Sequence, residues 1–141
     1  MATRTSSAEW RGNLKDGSGT VALGSGAWEG SYSFVSRFEE GAGTNPEELI
    51  AAAHAGCYSM ALSNMLAGAG HTPTSVSTKA SVRLEKTDAG FAITRIDLVT
   101  TGDVPGIDEA EFRKHAEAAK VGCPVSGALK AVEITLDATL V

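Results

Sequence analysis

The chain has 141 residues, of which 43% are hydrophobic and 21% charged, and its formal net charge is −5. These values predict one soluble globular domain over residues 1–141, and the negative balance disfavours nucleic acid or an anionic membrane as partner. The opening residues contain no apolar run typical of a signal peptide, which favours a cytoplasmic location. Two cysteines in such a chain indicate inert thiols or redox chemistry, not a disulfide framework.

The first part of the chain has strand patterning that leads to an arginine. Residues 6–14 alternate loosely, a Lys-Asp-Gly turn follows, and residues 19–23 are predicted to be the hairpin partner. Residues 28–38 are predicted to form a third strand with alternating aromatic residues, and Arg37 lies at its end. A polar loop at residues 39–43 then leads into a helix.

That helix has a well-marked start. Asn45 is a good N-cap, Pro46 suits the first helical position, and Glu48 can complete a capping box with Asn45. This assignment leaves Glu47 free. If Thr44 were the cap instead, Glu47 would be the capping-box residue, but the proline would then fit less well.

The rest of the helix is almost free of charge. Residues 49–70 contain no Asp, Glu, Lys or Arg, so the helix is predicted to be buried. A membrane span is disfavoured because polar residues and glycines interrupt the run. Small residues surround Cys57, which allows another helix or a second subunit to approach closely.

The second half of the chain alternates strands and helices. The predicted elements are a long hairpin (75–87 and 91–101), a helix capped by Asp108 (109–120), a short helix after Pro124 (125–129) and a strand (132–140). Segregated strands and helices favour an α+β fold over a parallel α/β sheet. Because few strands are available to cover the long helix, part of it is expected to contact another subunit.

Both cysteines are candidates for chemistry. Cys123 precedes the short helix, where the positive end of the dipole favours a thiolate, although a Gly-Cys-Pro turn could simply join two helices. Cys57 lies within a helix and needs a neighbouring cation to be reactive. Arg37 is the best-placed candidate, and the alternative is that it is a solvated residue at a strand end.

Two further residues near Cys57 allow more than one interpretation. His54 lies three residues before Cys57 and could begin a metal site with Cys123 and His71 or His115, but no spacing supports that. We therefore predict no metal, and expect His54 to be a hydrogen-bonded core residue. Glu47 lies ten residues before Cys57, which is about 15 Å along a straight helix and a rotation of roughly 80°. The two can share a site only if the helix is broken or if two subunits build the site, and we favour two subunits.

Several long segments together resemble one family. TNPEELIAAAHAGCYSMAL, HTPTSV, DAGFAITRI, VPGID and AKVGCPVSGALKAVEITLD are similar to the osmotically inducible protein C (OsmC) family, a relative of the organic hydroperoxide resistance (Ohr) proteins. The resemblance extends from Trp10 onward, and the GTNPEEL and VPGID segments resemble OsmC more than Ohr.

The resemblance implies an intertwined homodimer with antiparallel sheets wrapped around long central helices and active sites at the subunit interface. It implies a cofactor-free, thiol-dependent peroxidase for organic hydroperoxides. The peroxidatic cysteine would be Cys57, the resolving cysteine Cys123, and the catalytic glutamate and arginine Glu47 and Arg37. Cys57 would be oxidised to a sulfenic acid and then form a disulfide with Cys123, which an external dithiol reduces. In the Ohr branch lipoyl-bearing proteins are that reductant.

Two other functions are compatible with these residues. The first is a non-catalytic dimer that binds a lipid-like ligand and uses its cysteines only as oxidation sensors. The second is a thiol–disulfide oxidoreductase acting on proteins, which the absence of a Cys-x-x-Cys pair disfavours.

Overall fold

The computed structural model describes all 141 residues and divides into two compact units, residues 1–49 and residues 50–141. Each unit contains its own three-stranded sheet. The α+β class is therefore confirmed, whereas a single domain stays a prediction. No helix of the chain is both long and apolar enough to cross a membrane.

The first unit contains an antiparallel sheet in the order β1-β2-β3. Its strands are β1 (Ser6–Arg11), β2 (Ser18–Leu23) and β3 (Glu29–Tyr32). The register places Gly19 of β2 between Trp10 and Tyr32, whose rings are 5.1 Å apart. A side chain at Gly19 would collide with both rings, so glycine allows this aromatic pair to form.

The predicted third strand is too long. It ends at Tyr32, and residues Phe34–Phe38 form a short helix, α1. The cause is a capping box in which the Ser33 hydroxyl accepts from the Ser36 backbone N–H (3.1 Å) and the Ser36 hydroxyl accepts from the Ser33 backbone N–H (2.8 Å). Arg37 therefore lies on a helix and not at a strand end. The sequence did not reveal this helix for two reasons. Aromatic residues alternate here as they do in a strand, and the capping box has serine at the third helical position, where Glu or Gln is usual.

The long helix α2 spans Pro46–Gly68, as predicted. Asn45 caps it by accepting from the Glu48 backbone N–H (2.8 Å). The Glu48 carboxylate accepts from the Thr44 hydroxyl (2.7 Å), so only half of the predicted capping box is shown. Glu47 has no capping role and remains available for another partner, as the sequence indicated.

The second unit contains the remaining strands and helices. They are β4 (Ser75–Thr87), β5 (Gly90–Asp103), α3 (Glu109–Gly122), α4 (Pro124–Ala128) and β6 (Glu133–Leu140). Strands β4 and β5 form the predicted hairpin, but β6 pairs with β5 in parallel, which corrects the expectation of antiparallel sheets. The reason is that α3 and α4 form a crossover between these strands, long enough to reverse the chain direction.

The core of the second unit lies between α2, α3 and the sheet. Its buried members include Tyr58, Leu62 and Leu66 of α2, Ile96 and Leu98 of β5, and Phe112, Ala116 and Ala119 of α3. The four-residue spacing on α2 creates one buried stripe. The opposite side of α2 is exposed in the single chain, and Met60 on that side is 76% exposed. The predicted burial of this helix therefore holds for one face only.

Candidate active site

The structure brings the two cysteines of the second unit together. The Sγ atoms of Cys57 and Cys123 are 2.8 Å apart, and both residues are free thiols. A disulfide bond is about 2.0 Å long, so this separation is that of a reduced pair in contact. The geometry allows a disulfide to form with a small movement.

Packing between α2 and α3 explains why cysteines 66 residues apart in sequence meet. The Tyr58 hydroxyl donates to the Ala116 carbonyl oxygen (2.9 Å) and holds α2 against α3. Cys57 precedes that tyrosine on α2. Cys123 is both the C-cap of α3 and the N-cap of α4, with extended backbone that turns the chain between them.

The two thiols differ in access. Cys123 is fully buried, whereas Cys57 is partly exposed. Cys57 also lines an open groove of about 620 Å³, whose other lining residues are Met60, Ala61, Asn64, Met65, Gly122 and Pro124. A small molecule that enters this mostly apolar groove reaches Cys57, not Cys123.

Hydrogen bonds divide the negative charge of the pair unevenly. Burial raises the pKa of the Cys57 thiol, and the hydrogen bond with Cys123 raises it further. Burial also opposes ionisation of Cys123. However, hydrogen bonds from Cys57, and then from the Ser126 backbone and hydroxyl, lower the pKa of Cys123 overall. Since interacting thiols titrate as a pair, the contacts within one chain favour the thiolate on Cys123, and a cation would be needed to move it to Cys57.

Arg37 and Glu47 form a second pair, within the first unit. The guanidinium donates from Nη2 to Glu47 Oε1 (2.8 Å) and from Nε to Oε2 (3.2 Å), a two-bond arrangement that fixes its orientation. Glu47 is 7% exposed, and the guanidinium carbon lies 5.2 Å from the centre of the Phe38 ring. Arg37 is therefore not a freely solvated side chain.

An aromatic cavity adjoins this arginine, and no sequence pattern predicted it. Its volume is about 380 Å³, and its lining includes Trp10, Tyr32, Phe34, Arg37 and Phe38. A second aromatic pair, Phe34 and Phe38, has ring centres 4.9 Å apart and comes from the helix that was not predicted.

His54 is a hydrogen-bonded core residue, as predicted. Its Nε2 lies 2.7 Å from Ser126 Oγ, and both residues are buried. Its Nδ1 is buried without a partner, and burial lowers the pKa of the imidazole. His71 and His115 instead lie beside Glu111, at 3.6 and 3.7 Å.

Sequence reasoning missed Ser126. The one signal available was its position three residues after Cys123 at the start of a helix, a spacing that returns a side chain to the same face.

Removing the imidazole of His54 is expected to change how stability depends on pH. Its pKa is below the unfolded value of about 6.5, so the unfolded chain binds the proton more readily. The free energy of unfolding should therefore decrease as pH falls from 7 through 6.5 towards the folded pKa. Urea unfolding of wild type and His54→Gln, compared at several pH values, isolates this contribution. A parallel pH dependence in both proteins would contradict it.

Comparison with known proteins points to the same family that the sequence segments resemble. The sequence model of the family described as OsmC-like protein matches residues 39–137. Peroxiredoxin OsmC of Escherichia coli (strain K12) is 58% identical over 131 residues, which cover 92% of this chain and 91% of that protein. The organic hydroperoxide resistance protein of Xanthomonas axonopodis pv. citri is 36% identical over 98 residues, which cover 68% and 67%.

Solved structures agree on the fold. The structure of an organic hydroperoxide resistance protein OsmC from Legionella pneumophila has a TM-score of 0.75 at 25% identity and full coverage of both chains. The organic hydroperoxide resistance protein OhrB of Bacillus subtilis has a TM-score of 0.74 at 24% identity, over 95% of this chain and 97% of that one. The fold and its paired cysteines define a protein of the OsmC/Ohr class. Within that class, the chain belongs to the OsmC family, which confirms the resemblance to OsmC rather than Ohr.

Proposed function

We propose that this protein is a thiol-dependent peroxidase that reduces organic hydroperoxides through Cys57 and Cys123. The observation that carries the proposal is the 2.8 Å contact between a groove-lining thiol and a fully buried one. Such a pair allows one sulfur to react with a substrate and the other to form a disulfide with it. The names of the Escherichia coli and Xanthomonas relatives support the same chemistry.

The reaction has three steps. The Cys57 thiolate attacks the outer oxygen of ROOH, the O–O bond breaks, and the alkoxide leaves as ROH after taking a proton. Cys57 is then a sulfenic acid. The Cys123 thiolate attacks that sulfur, an S–S bond forms, and hydroxide leaves as water after protonation. An external dithiol reduces the disulfide by exchange and is itself oxidised.

Arg37, held in place by Glu47, would supply the positive charge that the cysteine pair lacks. A guanidinium beside Cys57 would favour its thiolate, and the two bonds from Glu47 would hold that guanidinium in place. Because Glu47 and Cys57 are ten residues apart on one helix, the guanidinium beside Cys57 is expected to come from the second subunit. The arginine acting on Cys57 would then be Arg37 of the partner subunit.

The exposed side of α2 supports a homodimer. Ala53, Gly56, Met60 and Ala67 are exposed on that side, and no charged residue lies between positions 49 and 70. Small apolar residues allow close packing of a second copy of the helix, and burying them would remove apolar surface from water.

The groove indicates the substrate class, and the reaction cycle indicates the reductant and the compartment. Its mostly apolar wall suits alkyl or aryl hydroperoxides better than hydrogen peroxide. Regeneration needs a dithiol, for which a lipoyl-bearing protein is one candidate. Because the cycle starts from two reduced cysteines, a reducing compartment such as the cytoplasm suits it. No nucleic acid or membrane partner is included in the proposal.

Stoichiometric oxidation tests this function directly. One equivalent of cumene hydroperoxide per chain is expected to remove both free thiols and to produce one equivalent of cumyl alcohol. Peptide mass spectrometry should find a Cys57–Cys123 disulfide.

Tight uptake of cumene hydroperoxide or a fatty acid with both thiols still free would instead support a non-catalytic binding protein. Oxidation by hydrogen peroxide but not by cumene hydroperoxide would contradict the substrate class while leaving the thiol chemistry intact.

A further inference from the structure

The helix α1, which carries Arg37, is too short to fix that arginine by its own hydrogen bonds. It has five residues, whereas isolated helices below about 12 residues are already marginal in water. Within it, the Arg37 backbone N–H donates to the Ser33 carbonyl oxygen over 3.2 Å. The contacts that hold α1 in place must therefore come from outside the helix.

Two hydrogen bonds connect the residue before Arg37 to the start of α2. The Ser36 hydroxyl donates to the Thr44 carbonyl oxygen (2.7 Å), and the Asn45 side chain donates from Nδ2 to the Ser36 carbonyl oxygen (2.9 Å). The Thr44 backbone is itself fixed to β3, because its N–H donates to the Ser31 carbonyl oxygen (2.8 Å). The last carbonyl groups of a helix have no partner within that helix, so Asn45 gives the Ser36 carbonyl the donor that α1 does not contain.

The Asn45 amide has one partner on each side. Its Oδ1 accepts from the Glu48 backbone N–H (2.8 Å), which caps α2, while its Nδ2 donates to the Ser36 carbonyl oxygen of α1. These partners fix the orientation of the amide, since an N–H needs an acceptor and a carbonyl needs a donor. One side chain thus joins the end of α1 to the first turn of α2, where Glu47 lies two residues after Asn45.

Other good capping residues would make only one of these two bonds. Aspartate caps a helix about as well as asparagine, but its second oxygen is an acceptor and would face the Ser36 carbonyl oxygen. Serine also caps well, but its single oxygen takes the place of Oδ1 and leaves the Ser36 carbonyl without a donor. The asparagine at position 45 therefore has a role that capping alone does not explain.

We propose that Asn45 is a positioning residue that fixes the Arg37 guanidinium against Glu47 by joining α1 to α2 through its side-chain amide. The proposal rests on the peroxidase function above for what the guanidinium does, but not for how the guanidinium is held. Because the backbone before Arg37 is attached to the helix that carries Glu47, both partners of the ion pair start from fixed positions. The two bonds between them, 2.8 and 3.2 Å long, then form at a smaller cost in conformational entropy.

The direction of the guanidinium matters because only part of it is used by Glu47. That carboxylate accepts from Nε and Nη2, so three of the five N–H groups of Arg37 are left to face a thiolate or a peroxide oxygen. A shift of α1 would turn these donors away from their target. Misplacing a group by about 1 Å can slow a reaction by about a hundredfold, and losing one of the two bonds to α1 is expected to have a smaller effect, of about tenfold.

Hydrogen exchange of the guanidinium tests the geometry without reference to catalysis. In ¹⁵N-labelled protein the Nε–H of Arg37 can be followed by NMR, and its bond to Glu47 slows exchange with water. Asn45→Ser and Asn45→Asp should each speed this exchange by about tenfold, the scale of one lost hydrogen bond. One variant shortens the side chain and the other adds a charge, so an effect common to both is due to the lost amide N–H.

Asp108→Ser is the matched control for these variants. Asp108 caps α3 by accepting from the Glu111 backbone N–H (2.8 Å), and its side chain has no hydrogen bond to α1. Exchange of the Arg37 Nε–H should stay at the wild-type rate in this variant. Wild-type exchange in both Asn45 variants would overturn the proposal. Equally fast exchange in Asp108→Ser would also overturn it, because the effect would then come from changing a helix cap in general.

The reactivity of Cys57 tests the consequence for the reaction. In the Cys123→Ser background, Asn45→Ser should raise the pKa of Cys57 by about 0.5 to 1 unit, in the same direction as Arg37→Met. Added to Arg37→Met, it should have no further effect, because Asn45 acts only through the guanidinium. A further rise in the pKa of Cys57 in the double variant would contradict the positioning role.

The two measurements separate this proposal from the function that it serves. If Arg37→Met leaves Cys57 unchanged, the activation of Cys57 by Arg37 is wrong, and the exchange of the Arg37 Nε–H still decides whether Asn45 positions the guanidinium. If Arg37→Met raises the pKa of Cys57 but Asn45→Ser changes neither that pKa nor the exchange, the role of Asn45 alone is refuted.

Discussion

Replacing Cys57 with serine is expected to abolish reduction of cumene hydroperoxide by a dithiol. The Cys57 thiol lines the groove, and its buried neighbour Cys123 has no surface on which a hydroperoxide could approach. A serine hydroxyl at position 57 does not ionise near neutral pH and cannot form the sulfenic acid. The rate should fall by at least about a thousandfold, as when an enzyme loses its nucleophile.

Cys123→Ser is the matched control for this loss. It also removes one sulfur from the pair, but it leaves the groove and the reacting thiol in place. The first equivalent of hydroperoxide should still be consumed, after which turnover stalls and Cys57 oxidises further to the sulfinic acid. Turnover in Cys57→Ser near the wild-type rate would contradict the assignment, and sustained turnover in Cys123→Ser would show that another thiol resolves the sulfenic acid.

Local sequence signals predicted much of the fold because several elements are determined by neighbouring residues. Alternation of apolar and polar residues predicted the bounds of β4. An asparagine followed by a proline predicted the start of α2. The two hairpins were predictable for the same reason, since each depends on a short turn between alternating segments.

The errors concern features that depend on distant or unusual contacts. Helix α1 forms because Ser33 and Ser36 cap each other, a pairing that the aromatic alternation around it concealed. The parallel pairing of β6 depends on how α3 and α4 return the chain to the sheet, which no local pattern records.

In the candidate site, too, the features that depend on local sequence were predicted, and those that depend on contacts between distant residues were not. Composition and helix position drew attention to Cys57 and Cys123, and the family resemblance implied that they pair. The link from His54 to Ser126 spans 72 residues and has no sequence pattern that would reveal it. The burial of Glu47 against Arg37 depends in the same way on the helix α1 that was not predicted.

The second large effect is expected from Arg37→Met. Burial and the hydrogen bond with Cys123 raise the pKa of the Cys57 thiol, so the proposed cation must lower that pKa to make Cys57 the nucleophile. Loss of a guanidinium beside a thiolate should raise the thiol pKa by about one to three units and slow its reaction at pH 7 by about tenfold or more. The measurement is iodoacetamide alkylation of Cys57 across pH in the Cys123→Ser background, where one thiol titrates alone.

Two further variants show whether the effect belongs to the guanidinium at this site. Arg37→Met leaves the nearly buried Glu47 without its partner, so the double variant Arg37→Met/Glu47→Gln removes that charge and should show the same raised pKa of Cys57. Arg11→Met is the matched control, because Arg11 lies in the same unit and pairs with Glu9 on an exposed surface. It should leave the alkylation profile unchanged. If Arg37→Met and Arg11→Met have the same profile as the parent protein, Arg37 does not activate Cys57, and its bonds to Glu47 serve only to hold α1 against the start of α2.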